Sequence, residues 1–169
     1  MVKIELLLNE KKISRIKETE LSRYLDFYKE SYTDNLNHAT ANVNNFPRWS
    51  IVSGYYAMHD ISKLFIAKVY RFKIDREVHA TTIKVLKELL NDPGLLKLIE
   101  DGYGEYSNLD DDLKDAKKER VKVQYYTGTD FMKHKYANKA KEFVGIKVKT
   151  YVEKILKLNK CICGRCVDK

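Results

Sequence analysis

Residues 117–128, with the sequence KKERVKVQYYTG, combine one arginine with a pair of tyrosines. The guanidinium group of Arg120 is always charged and can bind two oxygens of a phosphate at once. Tyr125 is a poor candidate for proton transfer at neutral pH, because a phenol titrates near ~10 and an imidazole near about 6.5. The stretch therefore predicts a phosphate contact more strongly than it predicts a cleavage centre.

The spacing between Arg120 and Tyr125 limits how the two residues can act together. On a continuous helix at about 100° per residue, their side chains point roughly 140° apart. They can converge only at a helix end, which Gly128 makes plausible, or across two copies of the chain. In the alternative interpretation Arg120 pairs with a surface carboxylate, while Tyr125 and Tyr126 are core residues with solvated hydroxyl groups.

Because Tyr125 is poorly suited to proton transfer, a histidine elsewhere in the chain could act as the base. His79 is predicted to lie in the first turn of its helix, where the helix dipole disfavours the imidazolium form. It is either a structural, hydrogen-bonded histidine or a base acting with Arg120. His59 lies on a nearly all-apolar helix, which predicts a buried, hydrogen-bonded role rather than a ligand role.

The formal net charge of +8 suggests an acidic partner such as nucleic acid. The excess of positive charge is concentrated in the last predicted helix, whose first half contains Lys133, Lys135, Lys139 and Lys141. Such a surface could bind RNA phosphates without sequence preference. The alternative is an ordinary solvated helix face.

Three cysteines, Cys161, Cys163 and Cys166, lie close to the C-terminus in the sequence CICGRC. CGRC has the spacing of a metal knuckle, but zinc needs four ligands and the chain has no second CxxC. Three thiols would have to recruit one more ligand or share the metal across a dimer. The alternative is an unstructured, oxidisable tail. We expect no cofactor, with zinc at these cysteines as the exception to test.

The N-terminal sequence and the cysteine content bear on location. An odd, clustered set of cysteines argues against a secreted disulfide framework. MVKIELLLNEKK has acidic residues on both sides of a short apolar run, unlike a secretory signal. No apolar stretch approaches the length of a membrane span. These features predict a cytoplasmic protein that does not bind membranes.

Helical periodicity dominates the first half of the chain. A helical segment is predicted from Glu10 to Val43, with a break near Thr33 and Asp34. The run from Pro47, RWSIVSGYYAMHDISKLFIAKVY, is apolar nearly all round and predicts the buried central helix. DREVHATTIKVLKELL predicts the next helix.

The second half is predicted to be less regular at first. Residues 91–108 contain one proline and three glycines and indicate a mobile connection with room for one short helix. A helix capped by Asn108 should follow, and a final helix should run from about Asp130 to Leu158. No strand is predicted. The expected fold is all-α, an antiparallel bundle of four or five main helices in one domain (residues 1–158) with a tail at residues 159–169.

The order of these features resembles the HEPN domain family over roughly residues 10–158. Tyr55, Tyr56, Ala57 and Met58 match the Tyr-Tyr-Ala-Met-type core of its central helix. His79 in REVHATTIK resembles the histidine that often opens the next helix. Arg120 and Tyr125 resemble the family's later arginine followed by a spacer and a His or Tyr. YANKAKEFVGIKV resembles its alanine- and phenylalanine-rich terminal helix.

The resemblance implies a small helical bundle that often dimerises and acts in toxin–antitoxin, antiviral or RNA-processing systems, often beside a minimal nucleotidyltransferase. Active members are metal-independent endoribonucleases in which an arginine and a later histidine from two copies form one cleft. Here Tyr125 stands at the histidine position, and Val123 and Gln124 replace the Ala-Asp of the Arg-to-Tyr subgroup. In some members a nearby tyrosine accepts a nucleotide, which implies Tyr125 or Tyr126 as a modification site.

Three functional hypotheses follow. The first is a HEPN-like homodimer linked to RNA or nucleotides, partner of a minimal nucleotidyltransferase, with Arg120 on phosphate and Tyr125 shaping the site or accepting a nucleotide. The second is an active metal-independent endoribonuclease that uses Arg120 and His79. The third is a non-catalytic protein-interaction module whose basic helix has no role in binding.

Overall fold

The computed structural model describes the backbone of residues 4–90, 92–123 and 129–164, and the side chains of residues 4–90, 92–109 and 136–160. The predicted all-α bundle is confirmed. Its elements in chain order are α1 (Ile4–Asn9), β1 (Ile13–Arg15), α2 (Glu18–Ala41), α3 (Pro47–Tyr70), β2 (Phe72–Ile74), α4 (Val78–Leu89), α5 (Pro93–Val123), α6 (Thr129–Glu142), a π-helical segment (Phe143–Val148) and α7 (Lys149–Gly164). None of the described helices is both long and apolar enough to cross a membrane.

The central helix is α3, as its all-round apolar sequence predicts. It packs against α2, α4, α5, α6, the π segment and α7. Pro47 occupies its first turn, and Arg71 ends it in the left-handed conformation with φ 60°. Its fully buried apolar residues form the middle of the core: Ile51, Tyr55, Ala57, Met58, Ile61, Phe65, Ile66 and Ala67.

Two glycines allow other helices to approach α3 closely. A Cβ added at Gly54 would lie 3.1 Å from a methyl group of Val148 in the π segment. A Cβ added at Gly102 of α5 would lie 3.0 Å from the sulfur of Met58. A larger side chain at either position would force Val148 or Met58 to move by a few tenths of an ångström, so the two glycines allow α5 and the π segment to pack closely on α3.

Helix α2 lies antiparallel to α3. The hydroxyl group of Ser50 donates a hydrogen bond to the carbonyl of Ala39, and towards the other end the ammonium group of Lys63 lies 4.9 Å from the ring centre of Tyr28. The predicted break in α2 near Thr33 and Asp34 is wrong. The hydroxyl group of Thr33 donates to the carbonyl of Lys29 at 2.7 Å, so the helix accommodates its polar side chain without a break.

The prediction of no strand is also wrong. Strands β1 and β2 form an antiparallel pair in which Ile13 lies opposite Ile74 and Arg15 lies opposite Phe72. Each strand has three residues. That length is too short for the alternation of apolar and polar residues that marks a strand in a sequence.

Residues 93–108 form helix rather than the predicted mobile connection. The carboxylate of Asp92 accepts a hydrogen bond from the backbone N–H of Leu95 at 2.9 Å and so caps α5, with Pro93 in the first helical position. The predicted cap at Asn108 is wrong, because Asn108 lies inside this helix. Packing of Gly102 against Met58 stabilises a segment whose glycines favour a loop.

The predicted final helix is present as three consecutive helical parts. The helical backbone begins at Thr129, passes through the π segment and continues to Gly164, six residues beyond the predicted end. Asn159, the first residue assigned to the tail, has 6% of its surface exposed. The part of the tail up to Gly164 is therefore helical.

Candidate functional site

Six rings from three helices gather where α3, α4 and α5 meet. Neighbouring ring centres lie 4.7 to 6.0 Å apart. We call this set the aromatic–histidine cluster: Tyr55, Tyr56 and His59 from α3, His79 from α4, and Tyr103 and Tyr106 from α5. The one-turn spacing of the two α5 tyrosines places both on the side that faces α3.

The cluster is buried at one end and open to solvent at the other. Tyr55 is fully buried and His59 has 1% of its surface exposed. Tyr56, His79 and Tyr106 are half-buried. Tyr103 has 37% of its surface exposed. A ligand can therefore reach the rings of Tyr103 and His79 from solvent.

His79 and Tyr55 share a hydrogen bond of 2.7 Å between Nδ1 and the phenol oxygen. Burial, helped by the neighbouring tyrosines, raises the pKa of Tyr55, so its phenol stays protonated. Burial, followed by the nearby His59 and Lys63, lowers the pKa of His79 below its usual 6.5, although Asp60 acts in the opposite sense. The imidazole of His79 is therefore neutral at neutral pH and can accept or donate a proton.

His59 is buried and hydrogen-bonded, as predicted. Thr82 donates its single hydroxyl hydrogen to the carbonyl of Val78 at 2.7 Å. Its oxygen therefore accepts from Nε2 of His59 at 3.2 Å. Nδ1 of His59 has no hydrogen-bond partner among the described residues, and the nearest carboxylate oxygen, on Asp60, is 3.7 Å away.

Asp60 forms a second polar network beside the cluster, which we call the Asp60 network. Its carboxylate accepts from Ser31 at 2.6 Å and from Asn35 at 3.2 Å, both on α2, and pairs with Lys63 at 2.7 Å. Burial acts to raise the pKa of Asp60, but His59, Lys63 and Ser31 outweigh it and lower the pKa to about 2. The carboxylate is therefore charged at neutral pH and joins α2 to α3.

The predicted site residues fall in different parts of the chain. His79 lies in the first turn of α4, as predicted. Arg120 lies on α5, but its side chain is outside the described part of the chain, as are Tyr125 and Tyr126 entirely. Arg120 follows Tyr106 by fourteen residues on α5, which corresponds to about 21 Å of helix rise. The described residues of one chain therefore do not bring His79 and Arg120 together.

The predicted lysine surface is partly neutralised by acidic residues of α5. Lys139 pairs with Glu105 at 2.6 Å, and Lys147 pairs with Asp101 at 3.7 Å. Lys141 is exposed. The side chains of two further predicted residues, Lys133 and Lys135, lie outside the described part.

The cysteine side chains also lie outside the described part of the chain. The backbone at Cys161 and Cys163 belongs to the end of α7, so this part of the tail is not unstructured, and Cys166 is not described. Elsewhere in the described residues, no group of three or more His, Cys, Asp or Glu side chains could hold a metal ion. Zinc at the cysteines stays a prediction.

Sequence reasoning missed Tyr103 and Tyr106. The signal was present as YGEY, two tyrosines three residues apart. This segment was interpreted as a mobile connection because of its glycines, so the helical spacing of the two tyrosines was not used as a signal.

Comparisons with protein-family models, with curated proteins and with solved structures found no match. The HEPN resemblance therefore stays an expectation based on sequence order. The geometry of the aromatic–histidine cluster is the independent basis for a functional proposal.

Proposed function

We propose that this chain is a HEPN-like, RNA- or nucleotide-associated cytoplasmic protein that acts as a homodimeric partner of a minimal nucleotidyltransferase. The observation that supports the proposal is the half-open aromatic–histidine cluster. Its outermost ring, Tyr103, is 37% exposed and stacks at 5.9 Å on His79. Exposed rings next to a neutral imidazole suit the flat faces of nucleobases.

Base stacking gives such a site useful affinity without a sequence requirement. A base stacked on an aromatic side chain contributes about 1–3 kcal/mol of binding free energy. The net charge of +8 adds attraction for phosphate that does not depend on sequence. Arg120 contributes a phosphate contact at some distance from the cluster, and Tyr125 or Tyr126 is the residue modified by the partner enzyme.

The direct test compares two exposed aromatic residues. We expect Tyr103→Ala to weaken binding of a short single-stranded RNA about five- to tenfold or more, since stacking of one base is lost. Phe27→Ala is the matched control, because Phe27 is 59% exposed on α2 and lies outside the cluster. Fluorescence anisotropy of labelled RNA gives both affinities. Absence of RNA and nucleotide binding by the unmodified protein would favour the protein-interaction module instead.

A second candidate is metal-independent RNA cleavage by His79 and Arg120. The lowered pKa of His79 favours it, because a neutral imidazole can accept a proton at neutral pH. The separation along α5 requires that Arg120 come from a second copy of the chain. RNA cleavage in EDTA that is lost in His79→Ala and in Arg120→Ala, but partly restored when the two variants are mixed, would support this candidate. Cleavage that persists in either variant would exclude it.

A further inference from the structure

A groove at the end of the two-stranded sheet lies outside the aromatic–histidine cluster. It has a volume of about 430 Å³. We call it the cationic groove, and its lining residues are Leu8, Lys11, Ile13, Ser14, Arg15, Asp75 and Arg76. Leu8 and Ile13 give it an apolar floor, while the three cations of the set are exposed.

The charge of the groove is not balanced. Among the described residues, Lys11, Arg15 and Arg76 form no ion pair, and the one acid, Asp75, lies 3.8 Å from Lys73. The neighbouring Lys12 differs, since it pairs with Glu10 and Glu77 at 3.0 and 3.3 Å. Three unpaired cations around one groove attract an anion with several charges.

The backbone holds these cations in place. The carbonyl of Lys12 accepts hydrogen bonds from the N–H groups of Asp75 and Arg76 at 2.8 and 3.3 Å, which ties the two sides of the groove together. Lys11 and Glu77 both have left-handed backbones, with φ 53° and 47°. This conformation is uncommon for residues other than glycine and is kept where the surroundings impose it.

Only a short stretch of backbone separates the groove from the aromatic–histidine cluster. Arg76 precedes His79 by only three residues, and its carbonyl accepts a hydrogen bond from the hydroxyl group of Thr81 at 2.8 Å, which fixes it to the first turns of α4. A ligand can therefore place a charged part in the groove and a flat part on the exposed rings of the cluster.

We propose that the cationic groove binds the phosphate groups of an RNA strand whose base stacks on the aromatic–histidine cluster. This inference rests on the proposed function and places the strand along the surface between the two-stranded sheet and the start of α4. Nucleic acid fits better than an acidic peptide, because the adjoining surface offers aromatic faces for bases. The guanidinium groups of Arg15 and Arg76 suit phosphate oxygens.

The test compares a variant that lacks the three positive charges of the groove with a control variant that lacks three positive charges elsewhere. The groove variant is Lys11→Gln, Arg15→Gln and Arg76→Gln, and the control is Lys29→Gln, Lys68→Gln and Lys97→Gln, all exposed. Affinity for a short labelled single-stranded RNA is measured by anisotropy between about 50 and 200 mM salt. We expect the groove variant to bind at least about tenfold more weakly, with a log–log salt slope flatter by about 2. The control should stay within about twofold.

The outcomes distinguish failure of the groove proposal from failure of the proposed function. RNA binding that weakens equally in both triple variants, or in neither, overturns the groove and leaves the proposed function standing. Absence of RNA binding in the unmodified protein overturns both, and binding of a polyglutamate peptide in its place would indicate an acidic protein partner. Circular dichroism checks folding. Should the groove variant not fold, Arg76→Gln alone, at an exposed side chain, should still weaken binding severalfold, and unchanged binding would overturn the groove.

Discussion

Helix α3 carries two polar networks within one turn of each other, and they differ in how completely their atoms are paired. In the Asp60 network, both carboxylate oxygens of Asp60 have partners, and these partners lie on α2 and α3. In the aromatic–histidine cluster, Nδ1 of His59 has no hydrogen-bond partner among the described residues and Tyr103 reaches solvent. The closed network fits a role in stability, and the open cluster fits a role in binding.

The largest effect is expected from Asp60→Asn in the closed network. Loss of the buried charge leaves Lys63, whose side chain is only 15% exposed, without its counter-ion. We expect the free energy of unfolding to fall by about 3 kcal/mol, as for other broken buried pairs. Urea unfolding measures it.

The control for this variant is Asp26→Asn, an exposed carboxylate on the same helix as Ser31. It should change the free energy of unfolding by no more than about 0.5 kcal/mol. A loss below about 1 kcal/mol in Asp60→Asn would mean that the closed network does not stabilise the α2–α3 pair.

The next effect is the acid sensitivity of the same network. The pKa of Asp60 is about 2 in the folded protein, against about 3.9 in an unfolded chain. A lowered pKa gives stability that is complete above the unfolded value and is lost as the pH falls through the folded value. This contribution, between about 2 and 3 kcal/mol, should be lost progressively as the pH falls from about 4 to about 2. Urea unfolding over that range should show the loss in the unmodified protein, and an equally steep loss in Asp60→Asn would contradict the assignment.

Removal of single phenol hydroxyl groups should distinguish the aromatic–histidine cluster from the buried pair formed by Tyr151 and Ser62. Tyr55→Phe and Tyr151→Phe each remove one buried hydroxyl group, bonded to His79 at 2.7 Å and to Ser62 at 2.6 Å. Each should lower the free energy of unfolding by about 1 kcal/mol. Only Tyr55→Phe should change RNA affinity and the nitrogen chemical shifts of His79 in NMR spectra. Equal changes in both variants would remove the distinction between the sites.

The smallest effect is the titration of His79 itself. Its pKa is lowered from 6.5, chiefly by burial, so the unfolded chain binds the proton more readily. Its contribution to stability is therefore present above the unfolded value and is lost as the pH falls through both values. NMR titration should give a midpoint below 6.5, and a midpoint above that value would mean that His79 is not buried in the cluster as described.

The elements with strong local signals could be predicted from the sequence. Pro47 and the apolar run after it gave α3, and the position of His79 in the first turn of its helix followed from the end of the apolar pattern before it. The two strands could not be predicted, because three residues carry no clear alternation. The Asp60 network joins residues 25 and 29 positions apart, and one sequence contains no signal for such pairs.

The start of helix α5 was missed for a different reason, because its helix-start signals were present in the sequence but were outweighed by signals for a loop. Asp92 and Pro93 form a recognisable helix start, yet three glycines within the following turns suggested a loop. Gly102 is tolerated because a larger side chain would meet Met58, a contact between distant parts of the chain. The error also hid Tyr103 and Tyr106, and with them the open end of the cluster.

The π segment Phe143–Val148 has a consequence for changes in chain length. A π turn holds about one residue more than an α turn. Deleting the exposed Gly145 would remove this extra residue and let the segment close to α geometry, while the residues after it keep their orientation. Tyr151 should therefore keep its hydrogen bond with Ser62. A Cβ added at Gly145 meets nothing within 4 Å, so the position should also accept a new side chain.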